Sequence, residues 1–352
     1  MVAKPKPKSV TSIKEIAEIA GVSIATVSNT LNQKGRISEE VRKRVREICR
    51  KHGYQPNSAG RNLRRRLNES IGLLFYPSCA AAFRNIYYAD ILGFLSKALE
   101  NARYNLVLPG LDGKNLVDQP PRFVSQGGVD GIILLGQFPK NVVRTINSYG
   151  IPLILIDNFR PRVRVDSVTT DGFGATRQIV DHLVSLGHRR IAFMAYEQDG
   201  HNASERQAGF EDGVKAHQLP PTLCPALRNF QETFGAYSEL KKTLQRKLRP
   251  TAIVTVNDTL ASEMQVRLKE DGYKIPADMS VFGFDDDLSQ SAVPPISTVR
   301  VDRQKIAEIG AKLILERIAS PEIPARNVVL PVELVTRKSI GPPAKAKVKN
   351  AK

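Results

Sequence analysis

Cysteine is scarce in this 352-residue chain. The three cysteines, Cys49, Cys79 and Cys224, form an odd and widely spaced set. Such a set argues against a disulfide framework and fits a reducing compartment. None of them, and none of the five histidines, stands at a spacing typical of metal ligands. We therefore expect no metal site and interpret the thiols as buried or incidental.

Long apolar runs are also missing. No stretch approaches the roughly 18–20 apolar residues of a membrane-spanning helix. Residues 1–9, MVAKPKPKS, are basic but lack the apolar segment of a secretory signal. These two absences predict a cytoplasmic protein with no membrane partner.

Sequence signatures of enzymes are equally sparse. The chain has no phosphate-cradling P-loop and no nucleophile-elbow serine motif. Residues 172–177 begin like a dinucleotide-binding fingerprint but lack its third glycine. We expect no enzymatic activity and no cofactor, and measurable turnover of a sugar or nucleotide would contradict this expectation.

Positive charge is abundant, and it is concentrated at the two ends of the chain. The formal net charge is +17, and residues 1–69 alone hold 16 basic and 6 acidic residues. Residues 338–352 hold five lysines and no acid, whereas residues 70–337 hold 31 basic and 29 acidic residues. Charge that served only solubility would be spread evenly. The pattern indicates a polyanion-binding head joined to a nearly neutral body.

Residues 12–32 have the pattern of two short helices joined by a tight turn. Ser12 and Glu15 are spaced as a capping box. Gly21 permits the sharp corner that follows. The first helix has one small apolar face, formed by Ile16, Ala17 and Ala20.

The second helix of this pair is predicted to start after Ser23, which caps it. Its inward positions are Val27, Thr30 and Leu31. Its outward positions are Ile24, Ala25, Ser28 and Asn29. Two such helices match the helix-turn-helix that enters the DNA major groove. An ordinary helical hairpin is the alternative, but the N-terminal position and the basic flank favour DNA binding.

A third helix and an arginine-rich segment follow. Ser38 caps the helix, and its apolar stripe consists of Val41, Val45 and Ile48. In residues 56–69, four arginines surround Leu63. This segment is either a solvated linker or a hinge that folds on DNA, with arginines such as Arg61 and Arg64 on phosphates and Leu63 as a minor-groove wedge.

From residue 70 onward, apolar strand-like runs alternate with periodic helices. Strands are predicted at 71–75, 106–108, 131–135, 153–156, 191–195, 252–256 and 281–284. Helices are predicted near 86–102, 174–186, 205–217, 235–246, 259–271 and 302–319. Strands that are apolar throughout are buried on both faces, so the pattern predicts a doubly wound α/β body. Its length favours two lobes.

Polar residues follow three of these strands. They are Asp157-Asn158, Asn257-Asp258 and Asp285-Asp286-Asp287. In α/β folds, ligands bind at the carboxyl ends of strands, so a polar pocket is expected there. Each residue could instead be a helix cap or a loop acid, and for Asp258, which leads directly into a helix, capping is the favoured role.

Seven short motifs follow one another along the chain. They are IAEIAGVS at 16–23 with TVS at 26–28, YQPN at 54–57, SIGL at 70–73, HLVSLGHRRIAF at 182–193, SERQAGF at 204–210, VND at 256–258 and SVFGFDD at 280–286. With this order and spacing, the chain resembles the lactose-repressor (LacI/GalR) family of bacterial transcription factors over about residues 12–338. The resemblance implies a body of the periplasmic-binding-protein-like type.

The resemblance also implies a domain plan. Residues 1–11 form a flexible basic tail, 12–55 the helix-turn-helix domain, 56–69 the hinge, 70–338 the effector-binding and dimerisation domain, and 339–352 a basic tail. Lobe 1 is expected at about 70–168 and 298–325, and lobe 2 at about 169–297 and 326–338. Since no leucine heptads follow residue 338, a tetramer through a C-terminal coiled coil is not expected.

On DNA, the resemblance implies a homodimer that reads a pseudo-palindromic operator. Ile24, Ala25 and Asn29 match base-reading positions. Many relatives carry Arg where this chain has Asn29, and Asn suits adenine whereas Arg suits guanine. The residues that match backbone contacts or caps are Ser23, Thr26 and Ser28. Leu63 matches the hinge wedge, and Gly60, in place of the usual alanine, is expected to weaken the hinge helix.

In the body, the resemblance implies a small-molecule effector held between the lobes. Arg206 matches a residue that holds effector oxygens, and Asp285 an acid beside it. Further matching pocket positions are Asp157, Asn257 and Phe230. This set implies a sugar or a sugar derivative. An interlobe salt bridge is the alternative role for Arg206, and the segment 76–88 is longer than in many relatives.

The sequence thus predicts a DNA-binding regulator, most readily a repressor of sugar-utilisation genes under effector control. A transcriptional activator or a corepressor-dependent repressor with a non-sugar effector is the alternative, since sequence does not decide the sign of regulation. A solute-binding protein shares the body fold. The helix-turn-helix and the missing signal peptide argue against it.

Overall fold

The computed structural model describes residues 12–31, 34–52, 54, 67–76, 83–109, 116–196, 200–228, 233–287 and 289–344. The chain divides into two compact units, Met1–Asn68 and Glu69–Lys352. Within the described ranges, no helix is long and apolar enough to cross a membrane.

The first unit contains three helices in its described part. They are α1 (Ile13–Ala20), α2 (Ile24–Leu31) and α3 (Glu39–His52). The Ser12 hydroxyl oxygen accepts a hydrogen bond from the Glu15 amide at 3.2 Å, and Gly21 ends α1 with a left-handed φ of 63°. The three helices bury a small common core made of Ile16, Ala17, Ala20, Val27, Val45 and Cys49. The predicted helix pair and its inward faces are therefore confirmed.

The second unit alternates strands and helices. In chain order these are β1 (Ser70–Phe75), α4 (Ile86–Asn101), β2 (Asn105–Val107), α5 (Arg122–Ser125), β3 (Gly131–Leu135), α6 (Lys140–Asn147), β4 (Leu153–Ile156), β5 (Asp166–Thr170), α7 (Gly172–Ser185), β6 (Ile191–Met194), α8 (His201–Ala216), β7 (Ala226–Leu227), α9 (Thr233–Leu244), β8 (Ala252–Thr255), α10 (Asp258–Glu270), β9 (Ser280–Phe282), β10 (Thr298–Arg300), α11 (Arg303–Ala319), β11 (Asn327–Leu330) and β12 (Glu333–Val335).

Two parallel sheets form the two lobes of this unit. The first has the strand order β11-β5-β4-β3-β1-β2 and the second the order β7-β6-β8-β9. Alternate residues of the first sheet pack into different cores. Leu73 and Ile133 face the core shared with α4, whereas Leu74 and Ile132 face the core that also contains Val142 of α6. Burial on both faces explains why the central strands β1, β3 and β4 are almost entirely apolar.

The seven predicted strands and six predicted helices are all present, within a few residues of their expected ends. Strands β5, β7, β10, β11 and β12 were not predicted. Strand β5, DSVTT, is too polar to resemble a buried strand, but Asp166 at its start is neutralised by the Arg317 guanidinium at 2.8 Å. Polar strands of this kind are specified by such tertiary partners rather than by their own hydrophobicity.

One lobe assignment and one segment boundary differ from the sequence-based ones. Strand β11 pairs in parallel with β5 in the first sheet, although residues 326–338 were expected in lobe 2. The C-terminal tail was expected from residue 339, but Ser339 is fully buried and its hydroxyl donates to the Val281 carbonyl. Hydrogen bonds to Val281 and Ser297 therefore make this residue part of lobe 2.

Helices α7 and α8 pack so closely at Gly209 that a substitution there tests their contact. A methyl group at Gly209 on α8 would lie 2.1 Å from the backbone oxygen of Phe173, so Gly209→Ala is expected to cost about 1–3 kcal/mol of unfolding free energy through overpacking. Gly93 in α4 has no atom within 4 Å of the same methyl position. In urea denaturation, the matched variant Gly93→Ala is expected to stabilise the protein by about 0.5–1 kcal/mol. A stable Gly209→Ala variant would contradict this packing.

Candidate functional site

The outward face of α2 presents short, uncharged side chains. Ile24 is 48% exposed, Ala25 and Asn29 are also exposed, and Val27 is buried beneath them. This is the arrangement predicted for a base-reading helix, in which side chains reach the edges of bases directly. The assignment of Ile24, Ala25 and Asn29 to particular bases stays a prediction.

Ser23 and Thr26 are joined at the start of α2. The Ser23 hydroxyl oxygen accepts from the Thr26 amide at 3.1 Å, and the two hydroxyls lie 2.9 Å apart. Capping is thus a role that both residues perform within the chain itself. Contact of Ser23, Thr26 and the half-buried Ser28 with phosphates stays a prediction.

Cations are found on α3 rather than on α2. The exposed basic residues of α3 are Lys43, Arg44, Arg46, Arg50 and Lys51. Within the described part of the first unit, none of them forms a salt bridge with a carboxylate. The unit therefore presents unneutralised positive charge, as expected of a polyanion-binding surface.

Several predicted site residues lie outside the described residues. In the hinge these are Gly60, Arg61, Leu63 and Arg64, and in the body it is Phe230. Their expected roles stay predictions.

Four predicted effector residues meet in one closed cleft of the second unit. They are Asp157, Arg206, Asn257 and Asp285, and the cleft has a free volume of about 80 Å³. Asp157 follows β4, Asn257 follows β8 and Asp285 lies just beyond β9, so parallel strands bring the three to the same edge of their sheets. Residues not selected from the sequence complete the lining: Asn85, Tyr87, Tyr88, Gln137, Gly200, Asn202, Ala203 and Val256.

The Asp157 carboxylate accepts three hydrogen bonds from both lobes. From lobe 1, the Tyr88 hydroxyl donates at 2.7 Å and the Tyr87 hydroxyl at 3.4 Å. From lobe 2, the Asn202 amide donates at 2.6 Å. The Gln137 side chain also donates to the Asp157 backbone carbonyl. Asp157 therefore both lines the cleft and connects its two walls.

Arg206 is almost fully buried and lies against Phe284. Its guanidinium carbon is 3.5 Å from the centre of the Phe284 ring, and one terminal nitrogen lies 3.4 Å from Asp285 Oδ1. The other terminal nitrogen donates to the Val256 carbonyl. Because Arg206, on α8, and Asp285, after β9, belong to the same lobe, their contact is not the interlobe salt bridge considered from the sequence.

Burial dominates the electrostatics of the cleft. It raises the pKa of Asp157, although the Tyr88 hydroxyl and Arg206 oppose this shift. Burial raises the pKa of Asp285 well above its ordinary value, and Arg206 again opposes it. Burial also raises the pKa of both Tyr87 and Tyr88, which keeps their hydroxyls protonated as donors.

The backbone at the cleft is strained at its acidic residues. Asp157 has a φ of 60°, Asp285 a φ of 108° and Asp286 a φ of 55°, all in the left-handed region that side chains other than glycine rarely adopt. Such strain persists where the surrounding structure requires it and is frequent at ligand sites.

The roles of Asn257 and Asp258 differ from the favoured prediction. Asn257, not Asp258, caps α10, and its side-chain oxygen accepts from the Leu260 amide at 2.9 Å. Asp258 is fully buried, where it accepts from the Thr298 hydroxyl at 2.7 Å and from the Asp287 amide at 3.1 Å. Asp258 therefore anchors the segment that carries Asp285 rather than starting the helix.

Some of the missed residues carried a sequence signal. Gln137 comes shortly after β3, so the rule that selected Asp157 would also have selected it. Tyr87 and Tyr88 lie in the segment noted as longer than usual. Asn202 was missed because α8 begins at His201 rather than near residue 205. The convergence of all four on Asp157 is a property of the tertiary structure.

The cleft is suited to binding a small polar molecule. It combines phenol and amide donors, carboxylate acceptors and one guanidinium, all held by neighbouring residues. Convergent polar groups in a closed site between two lobes recognise a small polar molecule by its hydrogen-bonding pattern. With a helix-turn-helix in the same chain, these features define a ligand-responsive regulatory protein as the class.

Comparisons with known proteins agree with this class. Residues 12–57 match the model of the bacterial regulatory proteins of the lacI family, and residues 180–340 match the periplasmic binding protein-like domain. The probable HTH-type transcriptional repressor ExuR of Bacillus subtilis is 27% identical over 94% of this chain and 98% of its own length. The chain belongs to the LacI family of bacterial regulatory proteins.

Solved structures agree on the fold. The lac repressor dimer bound to operator and an anti-inducer has a TM-score of 0.78 at 23% identity, over 94% of this chain and 99% of that one. A LacI family transcriptional regulator from Enterococcus faecium with bound ribose has a TM-score of 0.66 at 25% identity, over 78% of this chain and 99% of that one. The predicted head and two-lobed body are thus confirmed.

The raised pKa of Asp258 predicts that the stability of the protein depends on pH. Burial raises its pKa from 3.8 to about 7, opposed by the Thr298 hydroxyl and assisted by Asp287. Between about pH 4 and pH 7 the folded state holds a proton that the unfolded state releases, so this contribution to stability is lost as pH rises through that window. At about 1.4 kcal/mol per pKa unit, the loss is at most about 4 kcal/mol.

Chemical denaturation of Asp258→Asn across pH 4–8 measures this effect. The wild type is expected to lose unfolding free energy relative to the variant as pH rises from about 4 to about 7, because only the wild type must ionise a buried group. Asp212→Asn, at a partly exposed carboxylate on α8, reports the effect of removing a surface charge. A difference that stays constant with pH would contradict the assignment.

Proposed function

We propose that this protein is a sequence-specific transcriptional repressor whose affinity for operator DNA is controlled by a small sugar-like effector. One observation carries the proposal. A single chain holds a helix-turn-helix with an exposed, uncharged outward face and, in a separate unit, a closed polar cleft between two parallel sheets.

The DNA-binding half rests on the first unit. Ile24, Ala25 and Asn29 are the exposed residues that would read base edges in the major groove. Ser23, Thr26 and Ser28, with Arg61 and Arg64 of the hinge, would contact the backbone, and Leu63 would enter the minor groove. The excess of basic residues before residue 70 supports this role through counterion release.

The effector half rests on the cleft. Asp157, Arg206, Asn257 and Asp285 offer both acceptors and donors, which suits the hydroxyl groups of a sugar. Phe230 would add an aromatic face. The bound ribose of the Enterococcus faecium regulator supports a sugar as ligand. The free volume of about 80 Å³ holds only a few water molecules, so the effector would bind as the lobes separate.

Coupling between the halves would follow from lobe movement. Strand β1 of lobe 1 begins directly after the hinge segment, so a shift of the lobes in a homodimer would change the spacing of the two hinges. DNA affinity and effector affinity are then reciprocally linked through a two-state body. Whether the effector weakens or strengthens DNA binding follows from which state it favours.

Two further proposals accompany this function. We infer that the protein acts in the cytoplasm, where its operator would be, and that it catalyses no reaction. The description of the relative ExuR as a probable transcriptional repressor supports the negative sign of regulation. Activation or corepression by a non-sugar ligand is the alternative, and promoter fusions with and without the identified ligand would decide between them.

Base reading by Asn29 can be tested with selected DNA. Asn29→Ala is expected to lose preference at one symmetric pair of operator positions and to cost about 1–3 kcal/mol there, because Asn pairs bidentately with adenine. The measurement is selection from a random duplex library, followed by affinity titration of the recovered operator. Asn147→Ala, at an exposed position of α6, is the matched control. Unchanged base preference at every position would contradict the role of Asn29.

Effector control by Arg206 can be tested after a calorimetric screen of sugars. Arg206→Ala is expected to keep operator affinity but to weaken binding of the recovered sugar by about 100-fold, because charge-assisted hydrogen bonds each contribute about 1.5–3 kcal/mol. Arg177→Ala, on α7, removes an exposed arginine that pairs with Asp212 at 3.4 Å and serves as the control. Loss of operator binding in Arg206→Ala would indicate a structural arginine instead.

A further inference from the structure

The lining of the cleft holds more carboxyl groups than cationic groups. Among the residues that line it in the described part of the chain, Arg206 is the one cation, whereas Asp157 and Asp285 are both carboxylic acids. Arg206 is already engaged, since it contacts Asp285 at 3.4 Å, donates to the Val256 carbonyl and lies over Phe284. Both terminal nitrogens of Arg206 are therefore engaged within the protein, and Nε alone is left to donate to a ligand.

Neighbouring arginines are engaged as well. Arg303 pairs with Asp90 at 3.1 Å and donates to the Asp285 backbone carbonyl at 3.0 Å. Arg160 donates to the Phe138 carbonyl at 2.8 Å. Neither lines the cleft. An anionic ligand would have to break one of these contacts before a guanidinium group could bind it through two nitrogens.

The unsatisfied hydrogen-bonding atoms of the cleft also favour an uncharged ligand over an anion. Gln137 Oε1 is buried and accepts no hydrogen bond within the described structure, and Arg206 Nε is a buried donor in the same condition. A hydroxyl group can donate to the first and accept from the second, because it has both functions. A carboxylate or phosphate group has acceptor atoms alone. Such a group therefore donates no hydrogen bond to Gln137 or to either aspartate.

We propose that the cleft selects an uncharged polyhydroxylated molecule and discriminates against the same molecule bearing a carboxylate or phosphate group. This inference rests on the proposed effector function and specifies its ligand class. Its physical basis is twofold: the engaged state of Arg206, and the excess of acceptors that an uncharged polyol can satisfy. Burying an anion without a compensating partner is unfavourable in such a site.

Matched ligand pairs test the inference directly. Calorimetry with the full chain at pH 7.5 compares glucose with glucuronate, galactose with galacturonate, and ribose with ribose 5-phosphate. In each pair that binds, the uncharged member is expected to bind at least 30-fold more tightly. Equal or tighter binding of the charged member overturns the inference and leaves the effector function intact. Absence of binding by all six overturns the sugar effector itself, and with it this inference, whatever the result for operator DNA.

A substitution tests the cause of the discrimination. Asp285→Asn keeps the shape of the side chain but frees Arg206 from its carboxylate, so it is expected to narrow the affinity ratio of each binding pair by at least 10-fold. Asp212→Asn removes a carboxylate from the outer side of α8, where it pairs with Arg177, and is expected to leave the ratio unchanged. An unchanged ratio in Asp285→Asn, with the wild-type melting temperature retained, overturns the electrostatic explanation.

Discussion

The buried carboxylate of Asp157 is the interaction on which the effector cleft depends. A carboxylate removed from water needs donors, and here they come from both sides: Tyr88 in lobe 1 and Asn202 in lobe 2. These hydrogen bonds connect the tyrosines of α4 and the start of α8 to the end of β4. In the proposed function, a ligand in this cleft would compete for these donors, so ligand binding and lobe position would be physically connected.

The two units differ in whether their charged side chains are paired. In the body, two acids with little or no solvent exposure are paired with cations: Asp166 with Arg317 at 2.8 Å and Asp286 with Arg337 at 2.6 Å. On α3 the exposed lysines and arginines have no such partners within the described part of the first unit. Unpaired cations on one small unit are suited to an external polyanion.

Much of the fold, and a third of the residues that line the described cleft, could be predicted from the sequence. Helix α1 was recognisable because Ser12, Glu15 and Gly21 act through local backbone hydrogen bonds. Asp157 and Asp285 were recognisable because they follow apolar strands, and Arg206 because it lies in a motif shared with relatives. Each of these signals lies within a few residues of the position it identifies, which is why a single sequence contains it.

The sequence by itself determined the helix-turn-helix, the alternation of strands and helices, and which acids stand at strand ends, because local hydrogen bonds and hydrophobic periodicity control these features. Tertiary structure alone decided that β11 joins the first sheet, that Asn257 rather than Asp258 caps α10, and that Asn202 meets Asp157 across the lobes. These outcomes depend on partners distant in the chain, whose pairing follows from burial and geometry rather than from any neighbouring residue.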